Sequence, residues 1–408
     1  MSLENINSEY KKSDQSFLRN FNIKKVLNIL REYGPLSRVE LAQVSNLDKK
    51  TITNIVNDMF ANNQVKVVSI KNEGTGRPKE ILSLNGDFRR CIGIDVGGTH
   101  ITGVILDFTG RVLCSHSVDI NSNVEPVMLI NLCDYIINQL FKKSGLSIYD
   151  IEEIGVSFPG HVDVESGAAV LSENLPNWDN VLVKRILGEK YGKPVLMDDC
   201  SRLMTLAELW YGEGVNCDNF IVFDLGLGIG CGIVINRSIY VGSKGKSGEV
   251  GHTIVKVDGP ECTCGRSGCI ESLASGWALS KQAEKLVKDF PDSMLAETAR
   301  HMSRSPSTQD IVLAAELGDS ECRELLTNAG RFIGIGIANS ISLFNPSKII
   351  IGGRLVKDHE ILISSIIDTV KLQTIPELYK DTIITTSSLG VIASAIGAAT
   401  FCLEKYYK

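Results

Sequence analysis

The sequence has no uninterrupted apolar run of the 18 or more residues that a membrane-spanning helix needs. No apolar segment follows the charges of its N-terminus, MSLENINSEYKK. These absences predict a soluble, cytoplasmic protein with no membrane partner. A disulfide framework is also lacking: the 11 cysteines are an odd number, and eight stand singly in apolar contexts such as Cys91, Cys133 and Cys231. Basic charge is scarce over most of the chain. Beyond Arg90, 27 Lys and Arg face 38 Asp and Glu, a net of −11, which argues against a body that wraps a phosphate backbone. Up to Arg90 the balance reverses to 15 against 10, a net of +5, so the overall −6 hides a basic head on an acidic body. With 408 residues, 43% of them apolar, the chain has enough material for roughly two to four domains.

In the head, Ile23, Val26, Leu27 and Leu30 recur at helical spacing between Phe17 and Tyr33, and Gly34-Pro35 stops the run. Ser37-Arg38-Val39-Glu40 has the spacing of a capping box, in which the Ser hydroxyl and the Glu carboxylate each satisfy a free backbone donor of a second helix. Asp48 is placed to cap a third helix, whose apolar face is Ile52, Ile55, Val56, Met59 and Phe60. Its outer face keeps Lys49, Lys50, Thr53, Asn54 and Asn57. Two strands, Val65–Ile70 and Glu80–Leu84, flank a loop rich in turn formers and basic groups, 71–79. Three helices and a hairpin predict a winged helix-turn-helix over 1–88. Lys49, Lys50, Arg77 and Lys79 alone would read as a solvated face; with the charge split and the caps they read as DNA contacts. Thr53 and Asn54 then become candidates for base edges.

From Cys91 the texture turns β-branched, with strands expected at Cys91–Val96, Ile101–Leu106 and Ile151–Ser157 and a helix over Val124–Lys143. A second unit starts at Phe220–Leu225 and continues as Ile229–Asn236, and residues 275–345 read as mostly helical. Asp95-Val96-Gly97-Gly98 and Asp224-Leu225-Gly226-Leu227 lie 129 residues apart, as if one strand–turn–strand module were used twice. Glycine turns after buried strands let backbone N–H groups approach phosphate oxygens. Each turn taken alone is more often a tight hairpin.

Gly248-Glu249-Val250-Gly251-His252 precedes Cys262-Thr263-Cys264-Gly265-Arg266-Ser267-Gly268-Cys269-Ile270-Glu271. One imidazole and three thiols within 18 residues suit a four-ligand structural zinc site made of His252, Cys262, Cys264 and Cys269. A His bound through one ring nitrogen keeps the other for a ligand. Glu249 and Glu271 beside it are suited to gripping sugar hydroxyls.

These residues resemble the ROK family of repressors and sugar kinases over essentially the whole chain. The resemblance implies an α/β architecture: the winged head followed by a duplicated, actin-like, hexokinase-like body. Asp95-Val96-Gly97-Gly98-Thr99 looks like the family's first phosphate loop, Gly226-Leu227-Gly228-Ile229-Gly230 like the second, and Gly352-Gly353 like its adenosine-side turn. Pro159-Gly160-His161-Val162-Asp163 and Asn174-Leu175-Pro176-Asn177-Trp178 resemble sugar-side segments. The implied sugar contacts are Asn174, Asp199, Glu249, His252 and Glu271. Ser37-Arg38 and Gly76-Arg77-Pro78 resemble the repressor branch, which adds Ser37 and Arg38 to the DNA candidates. The division expected is 1–88 for the head, 89–212 with a return of about 387–408 for one α/β lobe, and 213–386 for the other, with the zinc loop.

The chain departs from the kinase pattern where the catalytic Asp is expected. Counting back from Glu208 without a gap puts Cys200 there and Asp199 one place earlier; a one-residue gap would restore Asp199 as the base. Leu227 replaces a usual Thr, and His100 stands where many kinases have Lys. The expectation is therefore a sugar-responsive DNA-binding regulator. Its expected partners are an operator with an inverted repeat, a sugar effector and a second copy in a homodimer or dimer of dimers. ATP is not expected as a cofactor. The alternative is an ATP-dependent sugar kinase with an attached DNA-binding head.

Overall fold

Residues 15–71, 78–120, 125–164, 166–171, 181–302, 304–356 and 359–408 are described by the computed structural model. The first element, α1 (Gln15–Tyr33), ends at Gly34, whose φ of 79° suits a residue without a Cβ. Then come β1 (Leu36–Ser37), α2 (Arg38–Ser45), α3 (Lys49–Ala61), β2 (Val65–Lys71) and β3 (Lys79–Leu84). Both helix starts follow local chemistry. Ser37 Oγ accepts from the Glu40 N–H, and the Glu40 carboxylate accepts from the Ser37 N–H at 2.7 Å. Asp48 accepts from the N–H groups of Lys50 and Thr51, both at 2.9 Å. β3 lies between β1 and β2 in an antiparallel sheet, so a third strand joins the expected hairpin.

The body opens with β4 (Arg90–Val96), β5 (His100–Asp107), β6 (Val112–Asp119), α4 (Pro126–Ser144), β7 (Glu153–Phe158), β8 (His161–Asp163), β9 (Ala168–Leu171), α5 (Val183–Tyr191), β10 (Val195–Asp199) and α6 (Cys200–Tyr211). Its sheet has the order β10-β7-β4-β5-β6. The second half runs through β11 (Phe220–Leu225), β12 (Ile229–Ile235), β13 (Ser238–Ile239), α7 (Ile270–Ala274), α8 (Gly276–Asp289), α9 (Met294–Met302), α10 (Thr308–Glu316) and α11 (Ser320–Phe344). It continues with β14 (Lys348–Gly352), α12 (Glu360–Gln373), α13 (Pro376–Asp381), β15 (Ile383–Thr386) and α14 (Ala393–Tyr407). Its sheet order, β13-β12-β11-β14-β15, repeats that of the first, with an antiparallel meander on one side and parallel strands on the other. The repeated Asp-glycine turns end the corresponding strands β4 and β11.

The last helix returns to the first sheet, and glycines make the approach possible. Gly93 of β4 and Gly155 of β7 are register partners. A Cβ on either would come within 1.9 Å of a carbonyl oxygen of α14, that of Ala395 or Ala398. The small-residue helix α14 thus lies in a trough of the sheet, with α6 packed beside it.

The head shares a core with this body. Val26, Leu27 and Leu30 of α1 are buried in the cluster that contains Phe108, Trp210 and Tyr407. Next to them Glu32 receives Arg237, from the β12–β13 turn, at 3.1 Å. The first helix therefore touches both halves of the body. No helix among the described residues is long and apolar enough to cross a membrane.

Candidate functional site

Between the two sheets lies a cleft of about 1150 Å³, partly open to solvent, into which the strand ends and glycine turns of both halves converge. Gly97, Gly98, Thr99, Gly226, Gly228 and Gly353 line it, as do Asp199, Cys200, Glu249, His252 and Glu271. Gly352 stands behind this wall, where a Cβ would strike Met204 Cε at 1.9 Å. Asn174 lies outside the described residues, as does Arg77 of the wing.

The zinc-loop residues come together as their spacing predicts. The ligand atoms of His252, Cys262, Cys264 and Cys269 all lie within 4.8 Å of one another. Cys264 Sγ is 3.7 Å from Cys269 Sγ, and Cys262 Sγ is 3.6 Å from His252 Nδ1. Zinc–sulfur bonds of about 2.3 Å and zinc–nitrogen bonds of about 2.0–2.1 Å in a tetrahedron give edges of about 3.8 and 3.6 Å, so this donor set fits a metal ion. The loop curls because Gly268, at φ 78°, passes where any Cβ would meet the Lys256 carbonyl at 1.7 Å. Cys269 then begins α7, which puts Glu271 in the first turn.

His252 is oriented between two tasks. Its Nδ1 faces the thiols, while Nε2 stands 4.0 Å from Glu249 Oε2 and 4.0 Å from Glu271 Oε1. The second oxygen of Glu271 accepts from the Ile229 N–H at 2.9 Å, which fixes the carboxylate against β12. An imidazole and two carboxylates converging on one point can hold several adjacent hydroxyls.

At the junction of β10 and α6 both candidate positions reach the cleft. Treating Asp199 and Cys200 as rival positions assumes helical geometry, in which one residue turns a side chain by about 100°. Asp199 is instead the N-cap, with extended backbone (φ −61°, ψ 141°), and both residues line the cleft. Burial raises the Asp199 carboxyl to about 7 despite Arg202 nearby. Burial, then the neighbouring Asp95, raises Asp224 to about 6. The Cys200 thiol is pushed well above its ordinary value by burial and then by Asp199.

The first glycine turn is crowded by the chain's own side chains, whereas a Cβ on Gly226 of the second would meet only the Gly228 carbonyl oxygen at 3.9 Å. A Cβ on Gly97 would come within 2.2 Å of His100 Cε1, and one on Gly98 within 2.4 Å of Leu227 Cδ2. His100 is held there by Asp95, with Nε2 3.0 Å from Oδ2, while Ser157 Oγ donates to the other Asp95 oxygen at 2.6 Å.

Two arginines that the sequence does not single out bind the site together. Arg202 is buried in the first turn of α6; its Nε donates to Asp198 at 3.0 Å and its Nη1 to the Gly245 carbonyl at 2.7 Å, in the loop that leads to Glu249. Arg354 crosses between the halves and donates to Asp119 at 3.0 Å and Ser117 at 3.1 Å. No local pattern marks either, because each partner comes from tertiary folding.

In the head, Lys49, Lys50, Thr53 and Asn54 share the exposed face of α3, and Lys79 is exposed at the start of β3. Ser37 is only 3% exposed and serves as a helix cap, which corrects its place among DNA contacts. Arg38 pairs with Glu80 and lies over the Phe60 ring.

Comparison with known proteins agrees with this architecture. The xylose repressor of Bacillus spizizenii is 30% identical over 394 residues, covering 97% of this chain and 98% of the repressor. The N-acetylglucosamine repressor of Escherichia coli O157:H7 is 28% identical over 95% of this chain and 93% of its own length. A crystal structure of a ROK family transcriptional regulator, a homologue of the E. coli MLC protein, superposes with a TM-score of 0.78 at 26% identity, over 96% of this chain and 97% of that one. A ROK family glucokinase from Streptomyces griseus, in complex with glucose and AMPPNP, gives a TM-score of 0.67 at 27% identity and covers 98% of its own length but 76% of this chain. The family model itself matches residues 91–405. The chain belongs to the ROK family.

Proposed function

We propose that this chain is a sugar-responsive transcriptional repressor that acts in the cytoplasm. Residues 1–88 form its winged helix-turn-helix head, 89–212 with a return of about 387–408 one lobe of the actin-like body, and 213–386 the other. The observation that carries the reading is the extent of similarity: repressors match through head and body, whereas the glucokinase leaves about a quarter of this chain without a counterpart. The exposed lysines and polar groups of α3 support DNA contact, with Thr53 and Asn54 toward bases and Lys49, Lys50, Arg77 and Lys79 toward phosphate or the minor groove. Two heads on an inverted repeat would supply specificity, which calls for a homodimer or a dimer of dimers.

The effector is a sugar held by Glu249, His252, Glu271, Asp199 and Asn174. One structural zinc per chain, on His252, Cys262, Cys264 and Cys269, fixes the loop that presents the first three. Four protein ligands leave no open position, so the metal's chemistry is to hold geometry.

One observation favours the alternative reading as a kinase: Asp199 reaches the cleft and is raised to about 7, a suitable value for a general base. The crowding of Gly97 by His100 and of Gly98 by Leu227 opposes it, because phosphoryl transfer is mostly the positioning of phosphate. The deciding experiment selects DNA from a random-sequence library with the full-length protein and measures retardation of the selected fragment against a panel of sugars. Specific retention changed by one sugar supports the repressor reading; failure to select any DNA overturns it.

A further inference from the structure

We propose that Arg38 is a positioning residue for DNA recognition, which holds the wing hairpin in a fixed relation to α3 without itself meeting phosphate. The inference rests on the DNA-binding reading above and adds the device that joins its two contact elements.

The wing is rooted at its base. Ile81, Leu82 and Leu84 of β3 are buried, as is Val65 at the start of β2. Toward the tip the strands run out into solvent: Val67, Val68 and Ile70 of β2 are exposed, and so is Lys79 of β3. β1 supports β3 through Leu36 opposite Leu82 and Ser37 opposite Ile81. The next rung would set residue 38 opposite Glu80, but there the chain turns into α2. The Arg38 side chain takes the place of that rung, with Nη1 donating to the Glu80 carboxylate, and carries the ladder one step further toward the tip.

The same guanidinium lies over the Phe60 ring, 5.7 Å from its centre, close enough for the ring face to attract the cation. Phe60 belongs to the last turn of α3. That helix is also braced from α1, where Arg19 Nε donates to Asp58 at 2.9 Å. One side chain thus links the start of α2, the end of α3 and the base of the wing.

The surroundings of Arg38 argue against a phosphate contact. Glu80 already supplies its anion, so a phosphate would have to displace a carboxylate or sit beside one. The Arg38 Nε is buried without a hydrogen-bond partner, a cost that an arginine free to swing toward DNA would escape by regaining water. Packing therefore holds the side chain where it is. Two contact elements fixed beforehand lose less freedom on binding than one helix and a loose hairpin. The gain falls on the operator, which both elements engage together, whereas attraction to phosphate suffices on unrelated DNA.

The test measures binding of the full-length protein to a fragment selected from the random-sequence library and to an unrelated fragment of equal length, across about 50–200 mM salt. Arg38→Met and Glu80→Gln should each lower the ratio of the two affinities about three- to tenfold, the scale of one part-exposed ion pair and one ring contact. The double variant should be no worse than Arg38→Met, because both changes remove the same link. Arg38→Lys, which keeps a cation for Glu80, should recover part of the ratio. On unrelated DNA the logarithmic salt slope should match that of the native protein. A slope lower by about 0.9 on both fragments in Arg38→Met, or tighter binding to both by Glu80→Gln, would identify a phosphate contact and overturn the inference. An unchanged ratio in both variants overturns it as well, and if Arg38→Met does not fold, Glu80→Gln decides alone. Native protein that retains neither fragment overturns the DNA reading itself, and this inference with it.

Discussion

The Arg31 guanidinium lies 4.1 Å from the centre of the Trp210 ring, so the first helix of the head rests on the far end of a helix that begins in the cleft between the two sheets. α6 is a 12-residue rod, about 18 Å long. Asp199 and Cys200 at one end meet the cleft, and Trp210 at the other meets Arg31. Beside this joint Glu32 takes Arg237 from the other half of the body. A movement of one half against the other would therefore reach α1 directly.

Replacing Arg31 by Met tests that joint. Removing the cation from the ring face should lower stability by about 1–2 kcal/mol in urea denaturation. Sugar affinity measured without DNA should stay the same, while the ratio of DNA affinities with and without sugar should fall toward one. An unchanged ratio would mean that the signal travels elsewhere.

For the metal, elemental analysis of untagged protein should give about one zinc per chain, and Cys264→Ser should lower both zinc content and sugar affinity. Even changes to the groups that support a metal's ligands typically cost about 10–100-fold in metal affinity. Tight sugar binding by a zinc-free preparation would refute the role given to the loop.

On the DNA side, Lys50→Ala should weaken binding to every sequence and flatten the salt dependence, by about 0.9 in logarithmic slope for each phosphate that the variant no longer neutralises. Asn54→Ala should instead change the preferred sequence. Because α1 shares a core with the body, point substitutions are better tests here than removal of the head, which would expose that core. Equal weakening on all sequences for both variants would count against base recognition by Asn54.

Acid stability should carry the mark of Asp199. Its carboxyl binds its proton more tightly when folded (about 7) than at the ordinary value of 3.8. Its contribution is thus fully present below about pH 4 and is lost as the pH rises through about 7. Asn is also a good helix cap, so Asp199→Asn should gain stability relative to the native chain at pH 8 compared with pH 5. A stability difference independent of pH would contradict the buried, protonated carboxyl.

Phosphorylation should be absent. A coupled assay of ADP release across hexoses, pentoses and amino sugars should show no useful turnover, since His100 and Leu227 crowd the first glycine turn and so weaken the positioning of phosphate. Robust turnover that disappears in Asp199→Asn would identify Asp199 as a working base and reverse the assignment.

What is legible in the sequence follows from how local each device is. The Ser37–Glu40 box and the Asp48 cap act over three residues, and the cluster of His252 with three cysteines over 18, so spacing alone reveals them. β6 is not legible because it is an edge strand whose residues, Ser115, His116 and Ser117 among them, bury no continuous face. Arg354 and Asp119 are 235 residues apart, a relation that no window can show. That Asp199 and Cys200 both reach the cleft is likewise not legible, because it depends on the extended backbone of the cap that precedes α6.

The docking of α14 has a consequence for biosynthesis. Tyr407 of α14 donates through its hydroxyl to the Phe108 carbonyl at 2.6 Å and forms part of the core beneath the head. Residues of α1 therefore wait for residues of α14, made more than 350 positions later, before their supporting wall is complete. A nascent chain interrupted before α14 would carry a head without its foundation, which ties the stability of the head to the synthesis of that helix.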